Sequence, residues 1–186
     1  MRKLVSRLLF PAMLGLMTVS SASRADEAST DQKLGNLNGG YFLLHKLCHD
    51  ESQLPLLLTV KDTPKEIETF VDKISKMAKE SLADLDRIQE HDKSLDFDRN
   101  PLPKIERDVR DSIAGEKQHQ LLFGATGPEF ARALLVSQIE ASSYAENLTK
   151  VLAGQEKDTD RSKILSRLSE KWRAIHEEAF ALLRNY

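Results

Sequence analysis

Two spacings in this sequence carry residue types that could gather a metal ion. Glu116-Lys-Gln-His119 sets a carboxylate and an imidazole three residues apart, so both project from one face of a helix. A carboxylate-bridged two-metal centre inside a helical protein needs two such pairs plus a glutamate from each of two further helices, and only one pair is present. The second spacing is His45-Lys-Leu-Cys-His49, where histidines four apart share a helix face and Cys48 stands beside them. On a helical wheel Cys48 faces the apolar side and both histidines face the wet flank, a pattern for adventitious cation binding at a surface. Other chemistry lacks its framework: there is no Gly-x-Ser-x-Gly elbow and no glycine-rich phosphate loop. The acidic stretches "HDKSLDFDRN" and "EKDTDRSK" lack the glycine and closing glutamate of an EF-hand loop. The reading assigns no catalytic residue, no metal ligand and no cofactor; whether the chain is an enzyme stays open, with the balance against it.

Whatever these side chains do, long helices must position them. No stretch alternates apolar and polar residues long enough for a half-buried strand, and apolar residues recur with helical spacing throughout. The spacing predicts a first helix over about Lys33–His49, with Leu34, Leu37, Tyr41, Leu44 and Cys48 on one stripe. Gly35, Gly39 and Gly40 weaken its first half by roughly 1 kcal/mol each, and the adjacent pair Gly39-Gly40 suggests close approach of a neighbouring backbone. "SQLPLLLTVKD" reads as a loop or a short extra helix over one end.

A second helix starts at Thr63-Pro64-Lys65-Glu66, a capping box with proline at the first helical position, and ends near His91. Its stripe is Ile67, Val71, Ile74, Ala78, Ser81, Leu85 and Ile88. A third runs over about Lys104–Phe123, with Ile105, Val109, Ile113, Leu121 and Leu122 as its apolar residues. The fourth starts at a second capping signal, Thr126-Gly127-Pro128-Glu129, and closes at Ala153 with Gly154 as its cap. Its expected seam is Phe130, Leu134, Ser137, Ala141, Tyr144, Leu148 and Val151. The fifth runs over about Asp160–Asn185 around Leu165, Leu168, Trp172, Ile175, Ala179 and Leu182. Trp172, Phe130 and Tyr144 are expected in the core. Long helices with short polar connections predict an all-α, up-and-down four-helix bundle with an additional N-terminal or connecting helix.

The ends and the charge balance bound the setting. "MRKLVSRLLFPAMLGLMTVSSASRADEAST" has a basic start, an apolar run from Leu8 to Val19 and small residues, the three parts of a secretion signal. Ser23-Arg24-Ala25 fits cleavage after Ala25, with cleavage after Ala22 as the second choice. The apolar run falls short of the roughly 20 residues a membrane span needs, so no span is expected in the mature chain. The expected organisation is a signal over 1–25, a polar leader over 26–36 and a helical domain over 37–186, placed in the periplasm or outside the cell.

Losing the four basic residues Arg2, Lys3, Arg7 and Arg24 takes the formal charge from −2 to −6. A mildly acidic surface disfavours nucleic acid as a partner. Cys48 is the single cysteine, so no internal disulfide can form; it reads as a buried apolar residue, or else as half of an intermolecular disulfide.

Four stretches carry a resemblance: "GGYFLLHKLC", "FVDKISKMAKESLADL", "TGPEFARALLVSQIEA" and "RAIHEEAFALL". Between about Leu37 and Leu183 the chain resembles a bacterial family of secreted, ferritin-like domains of unknown function that often carry an outer-membrane label. The third stretch is the most specific, resembling the family's Gly-x-x-Phe-Asp-x-x-Tyr followed by His-Gln-x-Glu-x-His. The resemblance implies a ferritin-like fold, with Glu140 and His176 as the retained possible ligands. Where the family has Asp-His, this chain has Glu80-Ser81; where it has two histidines around Gln-x-Glu, this chain has Ser137 and Ser142; Tyr41 stands where a first-helix glutamate is frequent. Serine at such positions can bond the carbonyl four residues back without any metal.

The expectation is a cell-envelope bundle acting through contacts with an envelope protein. Two alternatives stay open: a metal-binding or oxidoreductive bundle using Glu140, His176 and the His45/His49 pair, and a periplasmic sensor or holdase-like bundle with an exposed apolar groove.

Overall fold

The computed structural model describes the backbone of residues 21–186, and side chains from Gly35 onward apart from Val60. The expected secretion signal over 1–25 and most of the polar leader therefore lie outside the described side chains. Among the described residues the chain is all-helical, and no helix is long and apolar enough to cross a membrane. The elements are α1 (Ser21–Ser52), a 3₁₀ segment (Leu54–Val60), α2 (Lys65–His91), α3 (Lys104–His119), a π turn (Gln120–Gly124), α4 (Gly127–Gln155) and α5 (Thr159–Leu183). Leu34–Tyr186 form one compact unit.

The helices run antiparallel, as cross-links at both ends of each pair show. Between α1 and α2, His45 meets Asp86 at one end and Ser75 Oγ donates to the Ser52 carbonyl at the other, 2.8 Å away. Between α4 and α5, Arg173 reaches Glu146 and Ser162 Oγ reaches the Ala153 carbonyl. The expected α2 stripe is buried in full, joined by Phe70, Ser75 and Met77. Trp172, Tyr41, Phe70 and Phe130 are the largest fully buried side chains, so the core is filled from α1, α2, α4 and α5. The segment with Pro55 is the short extra helix, and it packs against α2 and the π turn.

Four local expectations are corrected. Thr63 caps nothing: its hydroxyl turns back to the Lys61 carbonyl, and Pro64 is itself the N-cap, one position before the expected first helical residue, with its φ of −56° leading into a first turn that holds Glu66 and Glu68. Thr126 likewise makes no side-chain cap, and the turn into α4 rests on Gly127 at φ +52° followed by Pro128. Gly154 does not cap α4, which continues through Gln155. Phe130 and Leu134 of the expected α4 seam are buried, but from Ser137 onward the seam is rotated by one residue: Gln138, Ser142, Ala145, Thr149 and Leu152 are buried, while Tyr144 and Val151 are 38% and 57% exposed. Tyr144 is thus not a core aromatic.

The third helix also differs from expectation. It gives way to a π turn at Gln120, and none of the residues of α3 is buried. Ile105 and Val109 stand 76% and 48% exposed. Unlike α2, α3 and α4, α5 has a side-chain cap: Asp158 accepts from the backbone N–H groups of Asp160 and Arg161 at 3.0 and 2.9 Å.

Close approach at Gly39 and Gly40 is real, but side chains make it. A Cβ at Gly39 would lie 2.9 Å from Pro101 Cβ, and one at Gly40 would fall inside the Leu152 side chain, itself 2% exposed. Around Gly154 nothing lies within 4 Å. Gly154→Ala should therefore stabilise the protein by roughly 0.5–1 kcal/mol through helix propensity. Gly40→Ala should instead lose about 1–3 kcal/mol to overpacking, less that same propensity gain. Urea midpoints of the two variants check this, and a destabilising Gly154→Ala would restore that glycine as a left-handed cap.

Candidate functional site

The buried stripe of α1 steps through Tyr41, Leu44 and Cys48, and the next step of three places Glu51 at the same seam. Opposite, the α4 seam presents Gln138, which is 2% exposed. The Gln138 carboxamide hydrogen-bonds the Glu51 carboxyl. Glu51 Oε2 and Gln138 Oε1 are both buried and have no hydrogen-bond partner. Burial pushes the Glu51 carboxyl up to about 7; the Gln138 bond opposes that rise and the adjoining Asp50 charge adds to it. Among the described residues Glu51 forms no ion pair, although Arg107 and Arg110 line the same cleft, so near neutrality it is poised between a proton donor and a buried charge.

Around this pair the remaining polar groups are already committed. Cys48 is fully buried, with its thiol pushed up to about 12 by burial first and by Glu51 second, against a smaller opposing effect of the neighbouring Ser81 hydroxyl. It is held as a thiol with no route to a partner chain, which favours the buried reading over an intermolecular disulfide. Ser81 Oγ donates to the Met77 carbonyl at 2.8 Å and Ser142 Oγ to the Gln138 carbonyl at 2.6 Å, both four residues back. His176 Nδ1 lies 3.1 Å from the Ile139 carbonyl oxygen and 3.3 Å from Ser142 Oγ. A carbonyl only accepts, so this nitrogen carries a proton and Ser142 Oγ accepts from the same ring. Among the described residues four buried side-chain atoms lack a hydrogen-bond partner: Glu51 Oε2, Gln138 Oε1, Trp172 Nε1 and Arg161 Nε.

The residues singled out by spacing do not converge. Glu140 is exposed and pairs with Lys117 of α3, whereas His176 turns to Ile139 and Ser142, so the structure does not bring the two together. His45 Nε2 meets Asp86 Oδ1 at 3.1 Å and His49 Nδ1 meets Asp50 Oδ1 at 3.5 Å, each histidine with its own carboxylate. Glu116 and His119 are exposed on α3, where His119 packs on Phe123 with ring centres 5.3 Å apart. Glu80 reaches Lys171 at 3.5 Å, and Ser137 lines a groove between α3 and α4. Among the described residues no group of three or more His, Cys, Asp or Glu side chains could hold a metal ion.

A second polar assembly ties the opposite end together. Tyr41 Oη donates to Glu156 Oε2 at 2.7 Å, and Arg161 donates to Glu156 Oε1 at 3.0 Å and also to Asp92. Tyr41, where the resemblance implies a glutamate, stacks on Phe97 at 5.3 Å. Burial foremost, then its bond to Glu156, lifts the Tyr41 hydroxyl above its ordinary value, so it stays a donor.

Beyond these interior groups, α1, α3 and α4 enclose a cleft of about 360 Å³. Glu51, Leu43 and Leu47 line it from α1, Arg107, Arg110 and Ile113 from α3, and Tyr144 from α4. Because α3 buries nothing of its own, it forms a wall over the cleft held by polar contacts: the Lys117–Glu140 pair and the Arg110 guanidinium 5.8 Å over the Tyr144 ring. Comparison of the chain with protein-family models, curated proteins and solved structures gives no match.

Proposed function

We propose that the chain is a secreted, ferritin-like, up-and-down four-helix bundle of the cell envelope that acts by binding, with α3 as an added helix that meets an envelope protein. The antiparallel cross-links among α1, α2, α4 and α5 support the bundle, and the leader sequence supports the placement. The observation that carries the binding role is the outer side of α3. Ile105 and Val109, one turn apart, are 76% and 48% exposed on a helix with no buried residue, and Phe123 just beyond it is 75% exposed. Apolar residues repeated along one face and left outside the core mark a contact surface. The interior hydroxyls Ser81 and Ser142, spent on their own helices, support packing over chemistry there.

Photo-crosslinking in the envelope of the producing cell tests this reading. A photoreactive residue at Ile105 should give a discrete protein adduct, and one at Lys76, on the exposed side of α2, should not. No adduct, or equal adducts at both positions, would overturn it. A periplasmic sensor is the second reading, favoured by the cleft beneath α3.

A further inference from the structure

The cleft between α1, α3 and α4 is ordered by polarity. Phe42, Leu43 and Leu47 of α1 are half-buried along one side, and Ile113 of α3 faces them. The cations at the α3 wall differ in how they are occupied. Arg110 Nε donates to Glu106 Oε1 at 2.8 Å, and Lys117 pairs with Glu140. Lys46, on the α1 side, is tied to Asp50 at 2.8 Å. Arg107 gives one N–H to the Leu102 carbonyl at 2.7 Å and, among the described residues, forms no ion pair. A half-buried guanidinium with spare donors beside an apolar wall is complementary to a carboxylate on an apolar body, since its planar fork matches both carboxylate oxygens.

A packing gap would show apolar lining throughout. This cleft instead carries Lys46, Arg107, Arg110 and Lys117 against Asp50, Glu51 and Asp111, an excess of one cation. The volume of about 360 Å³ falls in the range of small-molecule sites, roughly 300–1,000 Å³. We infer that this cleft binds a small amphipathic carboxylate, with the head group on Arg107 and the apolar body along Phe42, Leu43 and Leu47. Ile105 and Val109 lie outside the cleft lining, so the inference does not rest on the protein-contact surface proposed above.

Titration calorimetry of the purified protein with decanoate, decanol and decylamine, each below its micellar concentration, tests the site. Decanoate should bind once per chain, and decanol and decylamine at least about tenfold more weakly, because only the carboxylate uses the guanidinium. Arg107→Gln should weaken decanoate roughly tenfold and bring it level with decanol. That variant also loses the bond to Leu102, so Ala114→Trp, which fills the cleft from an exposed helix position, provides a second arm and should abolish binding. Ile105→Asp should leave decanoate affinity unchanged, which separates failure of this site from failure of the outer surface. Equal binding of decanol, tighter binding of decylamine, an unaffected Arg107→Gln or no binding of any probe would overturn the inference. Sedimentation with phosphatidylglycerol vesicles in the absence of decanoate binding would also overturn it, assigning the face to a lipid surface.

Discussion

Glu51→Gln should make the protein more stable at pH 8 and remove much of its loss of stability between pH 5 and 8. In the unfolded chain Glu51 ionises near its ordinary value of 4.5, but in the fold burial holds the carboxyl protonated up to about 7. The folded value is the raised one, so the stabilisation is fully present below the unfolded pKa. It falls away as pH rises through that window, as a buried charge forms without an ion pair to offset it. Two to three units of separation correspond to a few kcal/mol; access of solvent along the cleft reduces that to on the order of 1–3 kcal/mol at pH 8. Glutamine keeps the shape and the bond to Gln138 without the charge. Urea unfolding at pH 5 and pH 8 measures the difference between variant and parent, cancelling the histidines common to both. Parallel pH profiles for the two proteins would mean that Glu51 is solvated in the folded state.

The same residue shows what the sequence makes legible and what it does not. Glu51 continues the step pattern of Tyr41, Leu44 and Cys48, so a charge at a seam position could be read directly. It stands beside the exposed Asp50 near a helix end, however, and there it looks like an ordinary polar terminus. Its pairing with Gln138 is tertiary, and no local spacing reports it.

On α4 two stripes step by four and three side by side. The stripe through Ser137, Ala141, Tyr144, Leu148 and Val151 is the more apolar, yet the structure buries the stripe through Gln138, Ser142, Ala145, Thr149 and Leu152. The buried stripe faces two neighbours: Gln138 meets Glu51 and Leu152 meets Gly40 on α1, while Ser142 meets His176 on α5. Ser142 and Thr149 tolerate burial because their hydroxyls bond their own helix, at 2.6 and 2.7 Å. Hydrophobicity ranks side chains by transfer from water and carries no information on which neighbours a stripe will face. Where the apolar stripe is unambiguous, as on α2, sequence and structure agree throughout. The prolines marked the starts of α2 and α4 correctly, although the cap bonds expected from Thr63 and Thr126 do not form.

Arg161→Leu should destabilise the protein by about 3–5 kcal/mol, the range for breaking a buried ion pair from one side. The Glu156 side chain is 1% exposed and that of Arg161 is 21% exposed, so removing the guanidinium strands a carboxylate with Tyr41 as its remaining side-chain donor. Neutralising both partners, as in Arg161→Leu with Glu156→Gln, should recover most of the loss, because the cost lies in the unpaired charge more than in the pair itself. Burial pushes Glu156 up, yet the Asp158 backbone N–H, Tyr41 and Arg161 together hold it below its ordinary value. Asp92 is lowered to about 2 by Ser94 and Arg161. For both acids the folded value is the depressed one, so the stability they contribute is present above their unfolded values and is lost as pH falls through the folded ones, about 2 for Asp92. Arg161→Leu should therefore be much less stable than the parent at pH 7 and should lose comparatively little more on acidification from pH 4 to pH 2. Chemical denaturation of the parent, both single variants and the double variant completes the cycle. A double variant as unstable as Arg161→Leu alone would show that the arginine acts through its packing against the α2–α3 connection, and that charge is secondary.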